Sequence, residues 1–168
     1  VLNQTNRLSQ LYDQLLLLAR LESNVVKSNK KQIILHTSIE KCINNHEVIV
    51  TKNKVIINNT VPNQELVLAD TLLLEMVLDN LISNAIKYNK IGGNIYISWD
   101  KSNKSLSITD EGVGIEADKL HLIFNRFYRI DDSRNSQIPG NGIGLSIVKR
   151  ICEVQNIILS VDSIQNQG

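Results

Sequence analysis

The sequence predicts an α+β fold, a two-layer sandwich in which three helices cover a mixed, mostly antiparallel sheet. Residues 94–99 and 105–109 alternate apolar and polar side chains on either side of a four-residue loop, which is typical of an antiparallel hairpin with one buried face. Apolar residues at helical spacing predict a long helix over 71–89 and a shorter one over 143–154. Because the hairpin requires antiparallel pairing, we expect no doubly wound parallel sheet.

Weaker patterns predict the elements that complete this fold. Four short apolar runs indicate further strands, over residues 33–35, 55–58, 65–69 and 157–161. Thr37 and Glu40 have the spacing of a capping box, which predicts a helix continuing to about Val50. Asp70 is a suitable N-cap for the long helix, and residues 116–124 are predicted to form a short helix.

The first 22 residues predict a separate helix with an apolar stripe of the coiled-coil type. Four leucines are spaced three, four and three residues apart, at Leu8, Leu11, Leu15 and Leu18. One such helix cannot bury its stripe alone, so we expect a partner helix before Val1 or a homodimer; the alternative is an ordinary surface helix. The predicted organisation is a helix over 1–24, a polar linker over 25–32 and a globular domain over 33–168.

Composition excludes several classes of function. The 168 residues include 18 basic and 17 acidic side chains, with no basic stripe, so nucleic acid is not an expected partner. The two cysteines, Cys42 and Cys152, lie outside any metal-binding spacing and are typical of core residues in a reducing compartment. No apolar run approaches the roughly 20 residues of a membrane span, so we expect a cytoplasmic chain that does not itself contact a membrane.

The long helix carries a polar flank beside its apolar stripe. At about 100° per residue, Asn80, Asn84 and Lys87 fall within roughly 60° of one another. Amide oxygens can bind a hard cation such as Mg²⁺, and a lysine can hold a phosphate as a point charge. This arrangement suggests a site for a metal and a nucleotide, although a half-buried helix often carries such residues simply as a solvated face.

Two glycine motifs add to this indication, as do Arg126 and Arg129, whose guanidinium groups can bind a terminal phosphate. Asp110 ends a predicted strand and is followed by Gly112 and Gly114, so a flat ligand could approach the backbone closely, and the carboxylate could accept a bond from an exocyclic amine. A tight turn with a capping aspartate is the alternative. Glycine-rich backbone over 140–145 leads into a helix and favours phosphate. The loop over 125–141 has the length and composition of a lid.

An asparagine-rich helix, DxGxG at 110–114, FxRF at 124–127 and GxGxGL at 140–145, in this order, closely resemble the N, G1, F and G2 boxes of the histidine-kinase catalytic domain. The wider group has the Bergerat ATP-binding fold and includes gyrase, heat-shock chaperone and mismatch-repair ATPases. The resemblance extends from about Ile33 to the C-terminus. The leading helix resembles the second helix of the dimerisation and phosphotransfer hairpin that precedes such domains.

The resemblance implies a role for each matching residue. Asn84, assisted by Asn80, would hold Mg²⁺, Lys87 would contact phosphate, and Tyr88 would lie against the base or ribose of ATP. Asp110 would bind the adenine amino group. The remaining implied nucleotide-binding residues complete the two glycine motifs, namely Gly112, Gly114, Ile115, Gly140, Gly142, Gly144 and Leu145. Two lid residues, Arg126 and Arg129, would approach the γ-phosphate.

One position distinguishes the branches of this group. The hydrolysing ATPases carry a glutamate four residues before the magnesium asparagine, where it acts as a general base for water. Asn80 occupies that position here, as in the kinases, and an amide cannot deprotonate water. The sequence therefore favours phosphotransfer, with a hydrolysing ATPase, a non-catalytic nucleotide-binding module and a serine kinase of the anti-sigma type as alternatives.

The phospho-accepting histidine of the family is expected upstream of Val1. His36, His46 and His121 do not match its motif and are interpreted as ordinary surface or core residues. The last strand of the family is expected after Gly168. The resemblance thus implies transfer of the γ-phosphoryl group of Mg-ATP to a histidine outside this chain, then to a response regulator receiver domain, in a full-length protein that is anchored in a membrane.

Overall fold

The computed structural model describes residues 2–23, 28–130, 140–165 and 168. In chain order the helices and strands are α1 Leu2–Glu22, β1 Lys30–Ile34, α2 Leu35–Asn45, α3 Glu47–Asn53, β2 Ile56–Asn59, β3 Leu66–Asp70, α4 Thr71–Tyr88, β4 Asn94–Asp100, β5 Ser105–Asp110 and α5 Gly144–Gln155. The predicted α+β class is confirmed. The hairpin (β4 and β5), the long helix α4 and helix α5 all lie within a residue or two of their predicted positions.

The chain divides into two compact units. The first unit comprises the described residues of Val1–Ser28 and His121–Ser160, and therefore contains α1 and α5. The second unit comprises Asn29–Leu120 with the described residues of Val161–Gly168, and contains the remaining helices and all the strands named above.

The strands of the second unit are mixed in direction. β4 pairs with β5 antiparallel and with β2 parallel, while β1 and β3 pair antiparallel. These pairings form a three-stranded sheet, β2-β4-β5, and a separate two-stranded sheet, β1-β3, where the sequence predicts one sheet. Alternation along β4 is as predicted, since Ile95 and Ile97 are fully buried and Tyr96 between them is half exposed.

The core of the second unit lies between α2, α4 and the three-stranded sheet. Eleven buried residues form one cluster, namely Leu35, Ile39, Cys42, Val55, Val61, Leu78, Ile82, Ala85, Ile86, Ile95 and Ile97. Trp99 and Ile108 pack against this cluster from the sheet. The burial raises the pKa of the Cys42 thiol to about 11, so this cysteine is a neutral core residue at physiological pH.

The predicted capping box at Thr37 and Glu40 is wrong. The N-cap of helix α2 is Ile34, three residues before Thr37, and it makes no side-chain hydrogen bond. Leu35 is buried and donates its backbone N–H to the Glu65 carbonyl (2.9 Å), so tertiary packing fixes the start of the helix. The carboxylate of Glu40 instead accepts a bond from the Asn59 amide (2.6 Å).

Two further predicted elements differ from the structure. Residues 157–161 form no strand: α5 ends at Gln155, its C-cap Asn156 adopts the left-handed conformation, and Ile158 beyond it is 96% exposed. Residues 116–124 form a series of turns, with single bonds such as Lys119 N–H to the Glu116 carbonyl (2.9 Å), rather than a helix. Most of the predicted lid, over 131–139, lies outside the described residues.

In the first unit α1 packs against α5. Leu18 and Leu21 are buried, whereas Leu8 and Leu15 of the predicted stripe are exposed. The Arg150 guanidinium donates to the Leu21 carbonyl (3.0 Å), which is one of the last carbonyls of α1 and has no partner within the helix. Across the described part of the chain, no helix has both the length and the apolar character required to cross a membrane.

We expect Leu78→Ala to lower the free energy of unfolding of the second unit by about 2–5 kcal/mol, since Leu78 is fully buried and the substitution leaves a cavity. Leu72→Ala on the same helix is the control, because Leu72 is 64% exposed and its loss should cost less than about 0.5 kcal/mol. Urea unfolding followed by the fluorescence of Trp99, the sole tryptophan, measures both. Equal losses would contradict the assigned core.

Candidate functional site

Helix α4 presents the predicted polar flank over a buried base. Asp70 caps the helix by accepting a bond from the Leu73 N–H (3.2 Å), as predicted. Leu73, Leu78, Ile82, Ala85 and Ile86 are buried, which fixes the rotation of the helix about its axis. Asn80, Asn84 and Lys87 are consequently only partly buried.

The amide of Asn80 is oriented by its own helix. Its Nδ2 donates to the carbonyl of Met76, one turn earlier, at 2.8 Å. Because the amino group is engaged in this bond, Oδ1 remains as an acceptor for a ligand. An amide oxygen held in this way is suited to a hard cation and carries no basic function.

Helix α4 carries two opposite charges that interact, on Lys87 and Asp79. Burial lowers the pKa of the Lys87 ammonium, while the charge of Asp79 opposes that shift. Asp79 also accepts a hydrogen bond from the ring of His46, with 2.8 Å between Nε2 and Oδ1, and this bond lowers the pKa of the Asp79 carboxyl. His46 and Asp79 are 33 residues apart, so no local sequence pattern signals this contact.

The loop that follows β5 is joined to the end of α4. Gly112 donates its N–H to Oδ1 of Asp110 (2.8 Å), and Val113 donates its N–H to the carbonyl of Tyr88 (3.2 Å). A Cβ at position 112 would lie 2.4 Å from the Tyr88 carbonyl oxygen, so the approach requires glycine. Burial raises the pKa of the Asp110 carboxyl, an effect that the Gly112 N–H opposes. The structure thus places Asp110 near the residue that ends α4.

The far side of this loop contacts a segment near the C-terminus. Gly114 has a φ of +61°, and a Cβ there would lie 2.1 Å from the carbonyl oxygen of Ile164. Ile115 donates its N–H to the hydroxyl of Ser163 (2.8 Å). Ser163 and Ile164 lie almost 50 residues from the loop that they contact, so no local pattern in the sequence predicts this role for them.

The first unit brings the arginine pair and the second glycine motif together. Phe127 donates its N–H to the carbonyl of Gly142 (2.8 Å), and both residues have a positive φ. A Cβ on Gly142 would lie 2.8 Å from the Phe127 carbonyl carbon, so this position also requires glycine. Arg129 donates to the Gly140 carbonyl (3.0 Å), whereas Arg126 forms an ion pair with Glu22 of α1.

The predicted site residues therefore form two groups, one in each unit. The group in the second unit contains Asn80, Asn84, Lys87, Tyr88, Asp110, Gly112, Gly114 and Ile115. The group in the first unit contains Arg126, Arg129, Gly140, Gly142, Gly144 and Leu145, the last two of which begin α5. Among the described residues, no cluster of three or more histidine, cysteine or carboxylate side chains could hold a metal ion. A cation bound at α4 would therefore depend on the amide oxygens of the helix and on oxygens of a bound nucleotide.

Comparison with known proteins identifies the family to which the chain belongs. Residues 69–168 match the family described as histidine kinase-, DNA gyrase B- and HSP90-like ATPase, and the chain belongs to that family. It is an ATP-binding domain of the kind found in sensor histidine kinases.

Named relatives point to the same branch of the family. The sensor histidine kinase WalK of Bacillus subtilis is 32% identical over 171 residues, and the alignment covers 99% of this chain. The sensor-like histidine kinase SenX3 of Mycobacterium bovis is 33% identical over 90% of this chain. Among solved structures, the histidine kinase AdeS of Acinetobacter baumannii has a TM-score of 0.71 and 27% identity, over 91% of this chain and 70% of that one. The chain spans 28% of the length of WalK and 37% of that of SenX3.

The bond between His46 and Asp79 predicts a pH-dependent contribution to stability. Since this bond lowers the pKa of Asp79, it stabilises the fold above the ordinary aspartate pKa of about 4 and is lost as pH falls through the lower folded value. Asp79→Asn should therefore cost less than about 1 kcal/mol at pH 7, since the side chain is half exposed, and progressively less toward pH 3. Urea unfolding across this pH range measures the difference; a cost independent of pH would contradict the assignment.

Proposed function

We propose that this chain is the catalytic part of a two-component sensor kinase, which transfers the γ-phosphoryl group of Mg-ATP to a histidine outside the chain. The observation that carries the proposal is Asn80. In a family that contains both ATPases and kinases, its amide occupies the position of the hydrolytic base and cannot activate water. An imidazole nucleophile requires no such base.

The adenine end of ATP would bind where loop 110–115 meets α4. The Asp110 carboxylate keeps an oxygen for the adenine amino group in addition to the one that accepts the Gly112 N–H. Its partial burial strengthens a bond to a ligand by reducing competition from water. Tyr88, which is 36% exposed at the end of α4, would lie against the base or ribose.

The phosphate end would be held by the polar flank of α4. Oxygens of Asn84 and Asn80 would bind Mg²⁺ together with phosphate oxygens, a donor set that fits this hard cation because all its members are oxygens. The chemistry that Mg²⁺ would supply there is partial neutralisation of the negative charge on the phosphates. Lys87 would contact phosphate as a partly desolvated point charge.

The first unit carries groups of its own that suit a phosphate, and the family resemblance assigns them to the terminal one. Arg126 and Arg129 present planar donors that suit phosphate oxygens, although Arg126 would first have to leave Glu22. Gly140, Gly142 and Gly144 precede or begin α5, where free backbone N–H groups favour an anion.

The reaction then follows from positioning. A histidine nitrogen attacks the γ-phosphorus while the bond to the bridging oxygen breaks and ADP departs; the charge that develops is neutralised by the groups named above. A response regulator receiver domain would take the phosphoryl group in turn. Helix α1 would be the second helix of a dimerisation hairpin, a role that the exposure of Leu8 and Leu15 supports, in a cytoplasmic portion of a membrane-anchored protein.

Phosphotransfer to a separate histidine-bearing hairpin tests the proposal. With γ-labelled ATP and Mg²⁺, we expect acid-labile, base-stable phosphate on the hairpin. Asn84→Ala should reduce its rate of formation by about 100-fold or more, because it removes a magnesium ligand. Asn103→Ala in the exposed β4–β5 loop is the matched control and should leave the rate unchanged. Acid-stable phosphate on serine, or release of inorganic phosphate without transfer, would overturn the assignment.

A further inference from the structure

The carboxylate of Glu111 accepts hydrogen bonds from β4 just beyond the point where the backbone pairing of β4 and β5 stops. The last pair of that ladder is Ile95 with Asp110. At the next step, Oε2 of Glu111 accepts both the backbone N–H (3.0 Å) and the side-chain Nδ2 (3.2 Å) of Asn94. The side chain of Glu111 thus replaces the strand partner of Asn94. The chain can leave the sheet at this point while the backbone N–H of Asn94 keeps a hydrogen-bond acceptor.

The same carboxylate reaches the turn that follows α4. Nζ of Lys90 lies 3.2 Å from Oε2 of Glu111. Asn89, directly after α4, donates from Nδ2 to the Asn94 carbonyl (3.1 Å). A Cβ at Gly93 would lie 2.4 Å from Oδ1 of Asn89, so the turn is tight. The two donors of Asn94 and the ammonium of Lys90 lower the pKa of the Glu111 carboxyl, which keeps it ionised at neutral pH.

Glu111 lies between the two residues that shape the adenine end of the proposed site. Asp110 precedes it, and Gly112 follows it. The loop is consequently joined to the region where α4 ends at two points, by Glu111 to the turn after α4 and by Val113 to the Tyr88 carbonyl. These two points lie on either side of Gly112, so together they restrict the direction of the Asp110 carboxylate relative to α4.

We propose that Glu111 is a positioning residue for nucleotide binding, which clamps loop 110–115 to the turn after α4 and so sets the place of the adenine-binding carboxylate. This inference rests on the proposed function, because the ligand that the clamp serves is the adenine nucleotide. Glu111 acts through Asp110 and Gly112 and contacts no part of the ligand itself.

The test compares two glutamates in similar surroundings. Glu111 is 32% exposed and pairs with Lys90, and Glu75 is 28% exposed and pairs with Lys41 (2.8 Å) in the same unit, at the opposite end of α4. We expect Glu111→Ala to raise the Kd for a non-hydrolysable ATP analogue about tenfold, and Glu75→Ala to leave it unchanged. Glu111→Gln should stay within about threefold of the unaltered chain, because its amide oxygen can still accept both Asn94 bonds.

Hydrogen exchange distinguishes positioning from a general loss of structure. In Glu111→Ala, the backbone N–H groups of Gly112 and Val113 should exchange about tenfold faster, while those of Ile97 and Ile108 in the middle of the ladder keep their rates. Uniform acceleration would show a merely structural role and overturn the inference.

Each remaining outcome is also decisive. An unchanged Kd for Glu111→Ala, or equal effects of Glu111→Ala and Glu75→Ala, would overturn the clamp. Should Glu111→Ala fail to fold, Asn94→Ala replaces it, with a smaller rise in Kd expected and an unchanged Kd contradicting the inference. Failure of the unaltered chain to bind the analogue would count against the proposed function, whereas the exchange of Gly112 and Val113 would still test the clamp.

Discussion

The burial of one side of α4 is the constraint on which the rest of the structure depends. Leu78 and Ile82 are fully buried against α2 and the sheet, and each such side chain contributes roughly 1.5–3 kcal/mol through the apolar surface it removes from water. Rotating the helix would expose this stripe, so the position of the polar flank follows from the packing. Asn80, Asn84 and Lys87 are placed by the core rather than by contacts of their own.

Close backbone approach is the second constraint, and it explains the glycines that matter most. Gly112 lies against the carbonyl that ends α4, and Gly142 lies against the backbone of Phe127. In both places a Cβ would come within 3.0 Å of main-chain atoms, which cannot rotate away as the tip of a side chain can. The motifs are therefore glycine-rich because two stretches of backbone must meet there, and hydrogen bonds of 2.8 and 3.2 Å join them.

The sequence predicted those features that depend on local periodicity or on a few fixed residue types. The hairpin and the long helix with its Asp70 cap belong to this group. The start of α2 was not predictable from Thr37 and Glu40, because burial of Leu35 outweighs a local capping preference.

Other features depend on partners that are distant in the chain. Glu111 and Asn94 are separated by 17 residues, and a glutamate in a glycine-rich loop carries no local mark of its partner. The same limit applies to His46 and Asp79, whose contact arises from the packing of α4 beside the residue that joins α2 to α3. Residues 157–161 have the composition of a strand, but a strand also requires a partner, and the described structure provides none.

Calorimetric titration with a non-hydrolysable ATP analogue, with and without Mg²⁺, tests the central claim most directly. The unaltered chain should bind in a magnesium-dependent manner, and Asp110→Ala should abolish that binding. Asp100→Ala is the control, because Asp100 lies at the opposite end of the same β4–β5 ladder and should leave the affinity unchanged. Binding that survives Asp110→Ala, or that is lost equally in both variants, would contradict the account.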